Sequence, residues 1–290
     1  MRVKHLIEKV MNSIFFICGM VAIACVVLIT IYMLVSGLPA IFEIGPIDFL
    51  FGTEWKSTAA DPSYGILPFI LTSMWGTAGA TLIGVPVGLL TAVFLAKIAP
   101  KKLAAPVSAA VELLAGIPSV VYGLVGMLVL VPAVAQAFEL SNGACLLSAI
   151  LVLSIMILPN IISVSVTALN AVPKEYEEAS LALGATTSET YFKVSVPAAK
   201  SGIAAGIVLG IGRAVGEAMA VMMVAGNVAN MPGIFKSVTF LTTAVSKEMS
   251  YASGLQREAL FSIALVLFIF IMIINGVLGA VLKRGNKHEK

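Results

Sequence analysis

Six stretches of this chain carry no charged residue: 10–42, 62–96, 113–138, 140–173, 218–235 and 259–282. A helix needs about 20 mostly apolar residues to cross a hydrocarbon core of roughly 30 Å, so each stretch reaches or approaches crossing length. Read as helices, they give spans over 13–35, 67–96, 107–134, 145–168, 201–226 and 260–282. The fifth is exceptional, because Arg213 and Glu217 lie inside it. Composition agrees: 59% of the 290 residues are hydrophobic and 11% are charged, with a mean hydropathy of +1.04. Soluble domains run near 25% charged, so a water-soluble globular enzyme is excluded. Backbone groups in lipid must be satisfied internally, and no segment alternates like a barrel strand. The expected fold class is therefore all-α, a polytopic integral membrane protein with six transmembrane helices.

The first span follows a basic segment (Arg2, Lys4, Lys9), as a signal peptide would. Its apolar run from Ile14 to Val35 exceeds the usual 7–15 residues and no small-residue cleavage site follows, so a retained anchor is expected. One side of the membrane would hold Arg2, Lys4, Lys9, Lys97, Lys101, Lys102, Lys174, Lys193, Lys200, Lys283, Arg284, Lys287 and Lys290. The other would hold Lys56, Lys236, Lys247 and Arg257. That bias places both termini in the cytoplasm. It divides the chain into a cytoplasmic segment 1–12, a transmembrane domain 13–282 with a cytoplasmic connection 169–200, and a tail 283–290. A net charge of +3 is too small to point to nucleic acid as a partner.

Chemistry-bearing residues are scarce. His5 and His288 sit at the extreme ends, so no histidine-based metal or acid–base centre forms in the core. Cys18 and Cys25 are seven residues apart, about 10.5 Å of helical rise, too far for a disulfide. With Cys145 they read as small buried hydrophobes. There is no G-x-x-x-x-G-K-[ST] phosphate loop, no H-E-x-x-H and no G-x-S-x-G, so no catalytic centre or cofactor site is expected on this chain.

The connection 169–200 is polar but well punctuated. Pro173 can open a short helix, and Tyr176, Ala179 and Leu183 form an amphipathic stripe at i, i+3, i+7. Gly184 is placed to end that helix. Thr186-x-x-Glu189 reads as a capping box for a second one, and Pro197 closes the segment. Such a helix–Gly–helix hairpin either docks its stripe onto another protein or is a solvated loop covering its own bundle.

Glu178-Ala179-Ser180, three residues, Gly184, nine residues, then Val194-Ser195-Val196-Pro197 resembles the EAA loop of ABC importer permeases, E-A-A, three, G, nine, I-x-L-P. Ser180 replaces the third small residue, and valines replace Ile and Leu. Gly65–Lys97, Glu112–Gly126 and Gly210–Asn227 are similar to permeases of the phosphate-specific ABC importer. Arg213-Ala-Val-Gly-Glu217-Ala-Met-Ala-Val and Gly254-Leu-Gln-Arg-Glu-Ala-Leu-Phe261 are nearer the PstC type than the PstA type. The resemblance covers most of the chain and is weakest before residue 60. It implies a type I ABC importer permease fold in a bacterial inner membrane, with membrane lipid around it. It further implies a second permease of the PstA type, PstB-type ATPase subunits that bind ATP and Mg, and an extracytoplasmic PstS-type binding protein that delivers phosphate. Within that family the loop is the coupling helix, which assigns Tyr176, Glu178, Ala179, Ser180, Leu183 and Gly184 to contact with the ATPase.

The charges of the fifth span can be read without the family. Charges inside a span face a bundle interior or an aqueous cavity, because hydrocarbon is a costly place for them. Arg213 and Glu217 are i, i+4 and can pair along one helix. Together with Gly202, Gly206 and Gly210 they fall within an arc of about 80° at 100° per residue. Glycines so spaced permit close helix approach, so this face meets protein or a pathway. The pair is either a static salt bridge fixing helix register, or a gate in which Arg213 attracts a passing phosphate while Glu217 partly neutralises it.

Lesser signals complete the reading. Glu112 is a snorkelling end-charge or part of a gate. Gly84-Val-Pro-Val-Gly88 points to packing or a kink in span two, and Gly116-Ile-Pro-Ser-Val120 to a bend in span three. The segment 36–65 carries Glu43, Asp48, Glu54 and Asp61 against Lys56 and either meets a binding protein or is a solvated loop, with Trp55 and Tyr64 suited to the membrane interface. Ile234–Met249 reads as an interfacial or re-entrant piece. The rival functions are an ABC permease for another oxyanion or solute, and a self-sufficient secondary transporter or channel.

Overall fold

The computed structural model describes residues 2–286. Lys287, His288 and Lys290, and the side chains of Arg2, Lys4, His5, Lys283 and Arg284, lie outside that description. Helix α1 (Arg2–Ile44) leads into α2 (Pro46–Phe51) and a short antiparallel ribbon of β1 (Trp55–Lys56) and β2 (Ser63–Tyr64), with Trp55 opposite Tyr64. Then come α3 (Leu67–Val93), which ends in a π-helical turn at Phe94–Ile98, and α4 (Lys101–Gly116). Helices α5 (Ser119–Val125) and α6 (Val131–Ala137) are joined by a second π-helical turn, Gly126–Leu130, and followed by α7 (Leu146–Asn170). The connection holds α8 (Lys174–Ala182), α9 (Thr187–Thr190), a third π-helical turn at Tyr191–Ser195, and α10 (Val196–Ala198). Last are α11 (Lys200–Gly216), α12 (Met219–Val224), α13 (Leu241–Glu248) and α14 (Gly254–Asn286).

Among the described residues, five helical stretches are long and apolar enough to cross a membrane: Glu8–Ile44, Leu67–Ile98, Ser119–Ala137, Leu146–Asn170 and Gly254–Val277. A sixth crossing is reached when α11, which starts at Lys200, is joined with the preceding Thr187–Ala198, from which it turns by 72°. That preceding piece carries Glu189 and Lys193 and belongs to the hairpin, whereas the 17 residues of α11 rise about 25 Å.

Helix α7 is the axis of the bundle. Leu153, Met156, Ile157 and Ile161 are fully buried, clamped between α3 and α11. Both neighbours approach through glycine. On α3, Gly84 and Gly88 lie against Ile157 and Ile161; a Cβ at Gly84 would sit 2.5 Å from Ile157 Cδ1. On α11, Gly202, Gly206 and Gly210 lie against Ala168, Val164 and Ile161. Without a hydrophobic driving force between helices in lipid, this backbone-close van der Waals packing is what holds them. The G-x-x-x-G of α3 is thus a packing device; Pro86 stands on the outward side and the helix runs on through it.

Two expected continuous spans are broken. The helix read over 107–134 is interrupted at Ile117–Pro118, both extended, so α4 and α5 are separate. Proline supplies no N–H and drives its predecessor out of the helical region. The Tyr122 hydroxyl donates to the Leu114 carbonyl at 2.7 Å, joining the Ile117 N–H that reaches the same oxygen at 3.3 Å. The helix read over 201–226 ends at Gly216 and resumes at Met219.

Away from the hairpin, a second core gathers Phe49, Trp55, Tyr64, Phe69, Leu241, Leu260 and Ile263. Trp55 and Tyr64 are therefore buried rather than set at an interface, their rings 5.4 Å apart and Trp55 5.6 Å from Phe69. Glu248 fastens the loop over this core, accepting from Trp55 Nε1 (3.2 Å), Ser57 Oγ (3.0 Å) and Gln256 Nε2 (3.1 Å). The Ile234–Met249 piece contributes α13 here, with Leu241, Thr243 and Ala244 buried. Only the end of α1 joins the bundle, through Gly37 against Phe261 and Leu265 of α14 and a bond from Ser262 Oγ to the Gly37 carbonyl (2.6 Å). Its residues 8–28 are exposed on every face, so Cys18 and Cys25 are exposed and Cys145 alone of the three free thiols is buried. Glu112 is exposed on α4.

The glycine clamp has a direct consequence. Gly84→Leu should destabilise the bundle by about 1–3 kcal/mol through overpacking against Ile157. Gly212→Ala, where no atom lies within 4 Å of an added Cβ, should be near neutral. Thermal unfolding of the purified protein in detergent measures both.

Candidate functional site

The hairpin is locally over-determined. Glu175 and Glu177 occupy the first turn of α8, favourable to its dipole. Its end is a Schellman motif: Gly184 is left-handed at φ +86°, its N–H donates to the Leu181 carbonyl at 3.0 Å, and the Ala185 N–H donates to Ser180 at 3.2 Å. Thr186 caps α9 reciprocally, its Oγ1 accepting from the Glu189 N–H (3.3 Å) while Glu189 Oε2 accepts from the Thr186 N–H (3.1 Å). The Ser180 and Thr190 hydroxyls, 2.9 Å apart, stitch the two limbs. Apolar groups are nonetheless left in the open: Leu183 is 90% exposed and Tyr176 55%, with Leu181 and Phe192 also exposed. Glu178 and Ala179 are exposed too, while Ser180 is half-buried.

At the root of the hairpin, Lys97 Nζ of the α3 π-helical turn meets Glu177 Oε1 at 2.6 Å, and Ser195 Oγ donates to the same oxygen at 2.9 Å. Burial alone raises the Glu177 carboxyl, but the bonds from Lys97 and Ser195 and the charges of Lys97 and Lys174 outweigh it and hold it below the usual carboxylate range. Lys97, Glu177 and Ser195 escaped the sequence reading, because nothing in spacing brings residues 97, 177 and 195 together.

In the fifth span, Arg213 and Glu217 do not form the expected i, i+4 pair. Glu217 is extended (φ −74°, ψ 126°), and among the described residues no ion pair joins the two. Gly210, Gly212 and Gly216 weaken the helix before this point. Each charge instead meets a helix end of suitable sign: Arg213 is in the last turn of α11, and Glu217 Oε1 accepts from the Ala220 N–H in the first turn of α12 at 3.1 Å. The Thr242 hydroxyl of α13 donates to the Glu217 carbonyl at 2.8 Å, replacing a lost helical bond. Arg213 is half-buried near Tyr122 and, among the described residues, makes no hydrogen bond or ion pair. The break of α11 lies beside that of α4–α5, since Gly123 packs on Ala220 and Gly126 on Val224.

The capping box sets a pH response. The Lys193 side chain, then the Thr186 N–H and hydroxyl, pull the Glu189 carboxyl down from 4.5 to about 2. A depressed carboxyl supports the fold above its unfolded value and loses that support as pH falls through the folded one. Amide exchange over 186–193, corrected for intrinsic rates, should be constant from about pH 8 to about pH 5 and rise only in stronger acid. Thr186→Ala should cost about 1 kcal/mol locally, read as roughly fivefold faster exchange at neutral pH.

Comparison with known proteins accounts for this architecture. The probable ABC transporter permease protein YqgH of Bacillus subtilis (strain 168) is 44% identical over 270 residues, covering 89% of this chain and 86% of that one. The phosphate transport system permease protein PstC of Pasteurella multocida (strain Pm70) is 33% identical over 261 residues, covering 83% and 81%. Among solved structures, a chain of the MetNI methionine ABC transporter in an inward-facing conformation aligns with a TM-score of 0.59 at 21% identity, covering 76% of this chain and 97% of that one. A chain of a bacterial alginate ABC transporter aligns with a TM-score of 0.61 at 15% identity, covering 98% and 96%. These two show the fold alone. Residues 84–287 match the family described as binding-protein-dependent transport system inner membrane component, and the chain, a multi-pass ABC importer permease, belongs to that family.

Proposed function

We propose that this chain is a permease subunit of an ATP-driven phosphate importer, of the PstC type. It forms the translocation pathway with a second, PstA-type permease, receives phosphate from an extracytoplasmic PstS-type binding protein, and is driven by PstB-type ATPase subunits. ATP and Mg belong to those ATPase subunits, and this chain supplies no catalytic group. The hairpin end of the bundle, with both termini, faces the cytoplasm, in keeping with the Lys and Arg bias.

The observation that carries the phosphate reading is Arg213, a half-buried guanidinium without an ion pair among the described residues, inside a crossing helix and beside two helix breaks. Guanidinium matches phosphate oxygens bidentately. Glu217, held on α12, keeps the local charge near neutral, so an anion is attracted but not trapped. The PstC relatives support the same substrate. The exposed Leu183 and Tyr176, on a hairpin whose turn is held by the Gly184 end of α8 and the Thr186 cap of α9, fit a groove on an ATPase. Glu178, also exposed, stands on the opposite face of α8, about 200° round from Tyr176.

A second reading is a permease for another oxyanion or solute. It is favoured by the 44%-identical relative, whose name carries no substrate. A self-sufficient carrier or channel has no support from the family assignment.

Arg213→Gln at normal membrane abundance should lower phosphate uptake by cells at least about tenfold, equivalent to roughly 1.4 kcal/mol; undiminished uptake removes Arg213 from the pathway. Leu183→Asp should strip the ATPase from the purified complex, and an ATPase that stays bound at wild-type level removes the hairpin from the interface. Stimulation of ATP hydrolysis only by a binding protein loaded with some other solute would overturn phosphate as the substrate.

A further inference from the structure

We infer that the Lys97–Glu177 pair is the joint through which movement of the hairpin reaches α3, which makes Lys97 and Glu177 positioning residues for the transport step. The inference rests on the hairpin docking an ATPase, as proposed above. The chain itself ties the hairpin to α7 through Ala171–Pro173 and to α11 through Ala199–Lys200, but α3 has no covalent connection to it. One carboxylate oxygen closes that gap: Glu177 Oε1 receives Lys97 Nζ at 2.6 Å and Ser195 Oγ at 2.9 Å, clasping α8, the end of α3 and the returning limb at one point. Both donors ride on π-helical turns, Phe94–Ile98 and Tyr191–Ser195, where the helix is locally widened.

Shelter from water decides which ion pair can hold such a load. The side chains of Lys97 and Glu177 are 11% and 19% exposed, whereas Lys193 and Glu189 are 73% and 46% exposed and Lys56 and Glu54 59% and 63%. The last two are screened surface pairs of little strength. Beneath the joint, Ala92 and Val93 of α3 pack with Leu169, Val172, Ala199 and Ile203, so its apolar floor is continuous. Past the joint, α3 is a stiff rod of about 40 Å. At its other end Ser73 Oγ accepts from the Leu241 N–H of α13 at 3.0 Å, and α13 holds the break in the fifth span through Thr242 and the Glu217 carbonyl. A pull on Glu177 thus has an unbroken line of close contacts to the residues beside Arg213.

The test uses the complete transporter in proteoliposomes, with radiolabelled phosphate and the binding protein. It compares Lys97→Met, Glu177→Gln, the two together, and the exchange of Lys97→Glu with Glu177→Lys. The single variants leave a sheltered charge unpaired, whereas the double neutral variant does not, so it folds without that penalty. All three should keep the ATPase bound yet lower phosphate moved per ATP at least about tenfold, and the exchanged pair should recover to within about threefold of wild type. Normal coupling in the single variants or in the double neutral variant overturns the joint, since the pair would then serve stability alone. An assembled exchange variant that stays uncoupled overturns it as well. ATPase lost only from the variants would make the pair a support of the docking surface and overturn the joint by itself. ATPase absent from the unaltered complex would overturn the importer reading and the joint with it.

Discussion

Helices in lipid gain nothing by hiding apolar side chains from one another, so the bundle depends on how near their backbones can come. Here that nearness is concentrated on α7, where Gly84 and Gly88 press from one side and Gly202, Gly206 and Gly210 from the other. Fixing α3 and α11 against one axis also fixes what hangs from their ends. Lys97 finishes α3, Lys200 begins α11, and the hairpin leaves α7 and returns to α11 between them. The Glu177 clasp can exist only because the three helix ends converge at one level.

The interior is looser by construction. Two helix breaks lie side by side, at Ile117–Pro118, just before the crossing stretch Ser119–Ala137, and at Glu217–Ala218, just after α11. Side chains meet the backbone groups around both breaks: the Tyr122 hydroxyl joins the Ile117 N–H on the Leu114 carbonyl, the Thr242 hydroxyl donates to the Glu217 carbonyl, and the Glu217 carboxylate accepts from the Ala220 N–H. Irregular backbone at membrane depth is tolerated where protein or a cavity surrounds it. Arg213 belongs to this region, and its placement at the end of α11 stabilises the cation without consuming its hydrogen-bonding capacity. A guanidinium kept in that state suits brief contact with an anion better than a closed salt bridge would.

Much of this was legible in the residue order. Charge-free length gave the helical class and the crossings, glycine spacing gave the face of α11 that meets α7, and Pro173, Gly184 and the Thr186–Glu189 box marked the hairpin turn by turn. Those signals are local, carried by residues within a few positions of one another. The reading failed where a local pattern competed with distant partners. An i, i+4 Arg–Glu spacing looks like a pair on an unbroken helix, but Thr242 of α13 and the free N–H groups of α12 outbid it. Trp55 and Tyr64 look like interface aromatics, but the ribbon and Glu248 fold them into a core.

Residue order alone settles that the chain lives in a membrane, that it is helical, and that the connection after the fourth span is a punctuated helix–Gly–helix hairpin with an apolar stripe, because each follows from hydropathy, periodicity and cap chemistry acting over one or two turns. Packing between distant segments sets where the fifth span breaks, that Arg213 is left without Glu217, that the hairpin stripe stands in the open, and that Lys97, Glu177 and Ser195 meet at one oxygen. Those outcomes depend on contacts between residues tens of positions apart, whose energies exceed the local preferences they override and leave no trace in spacing.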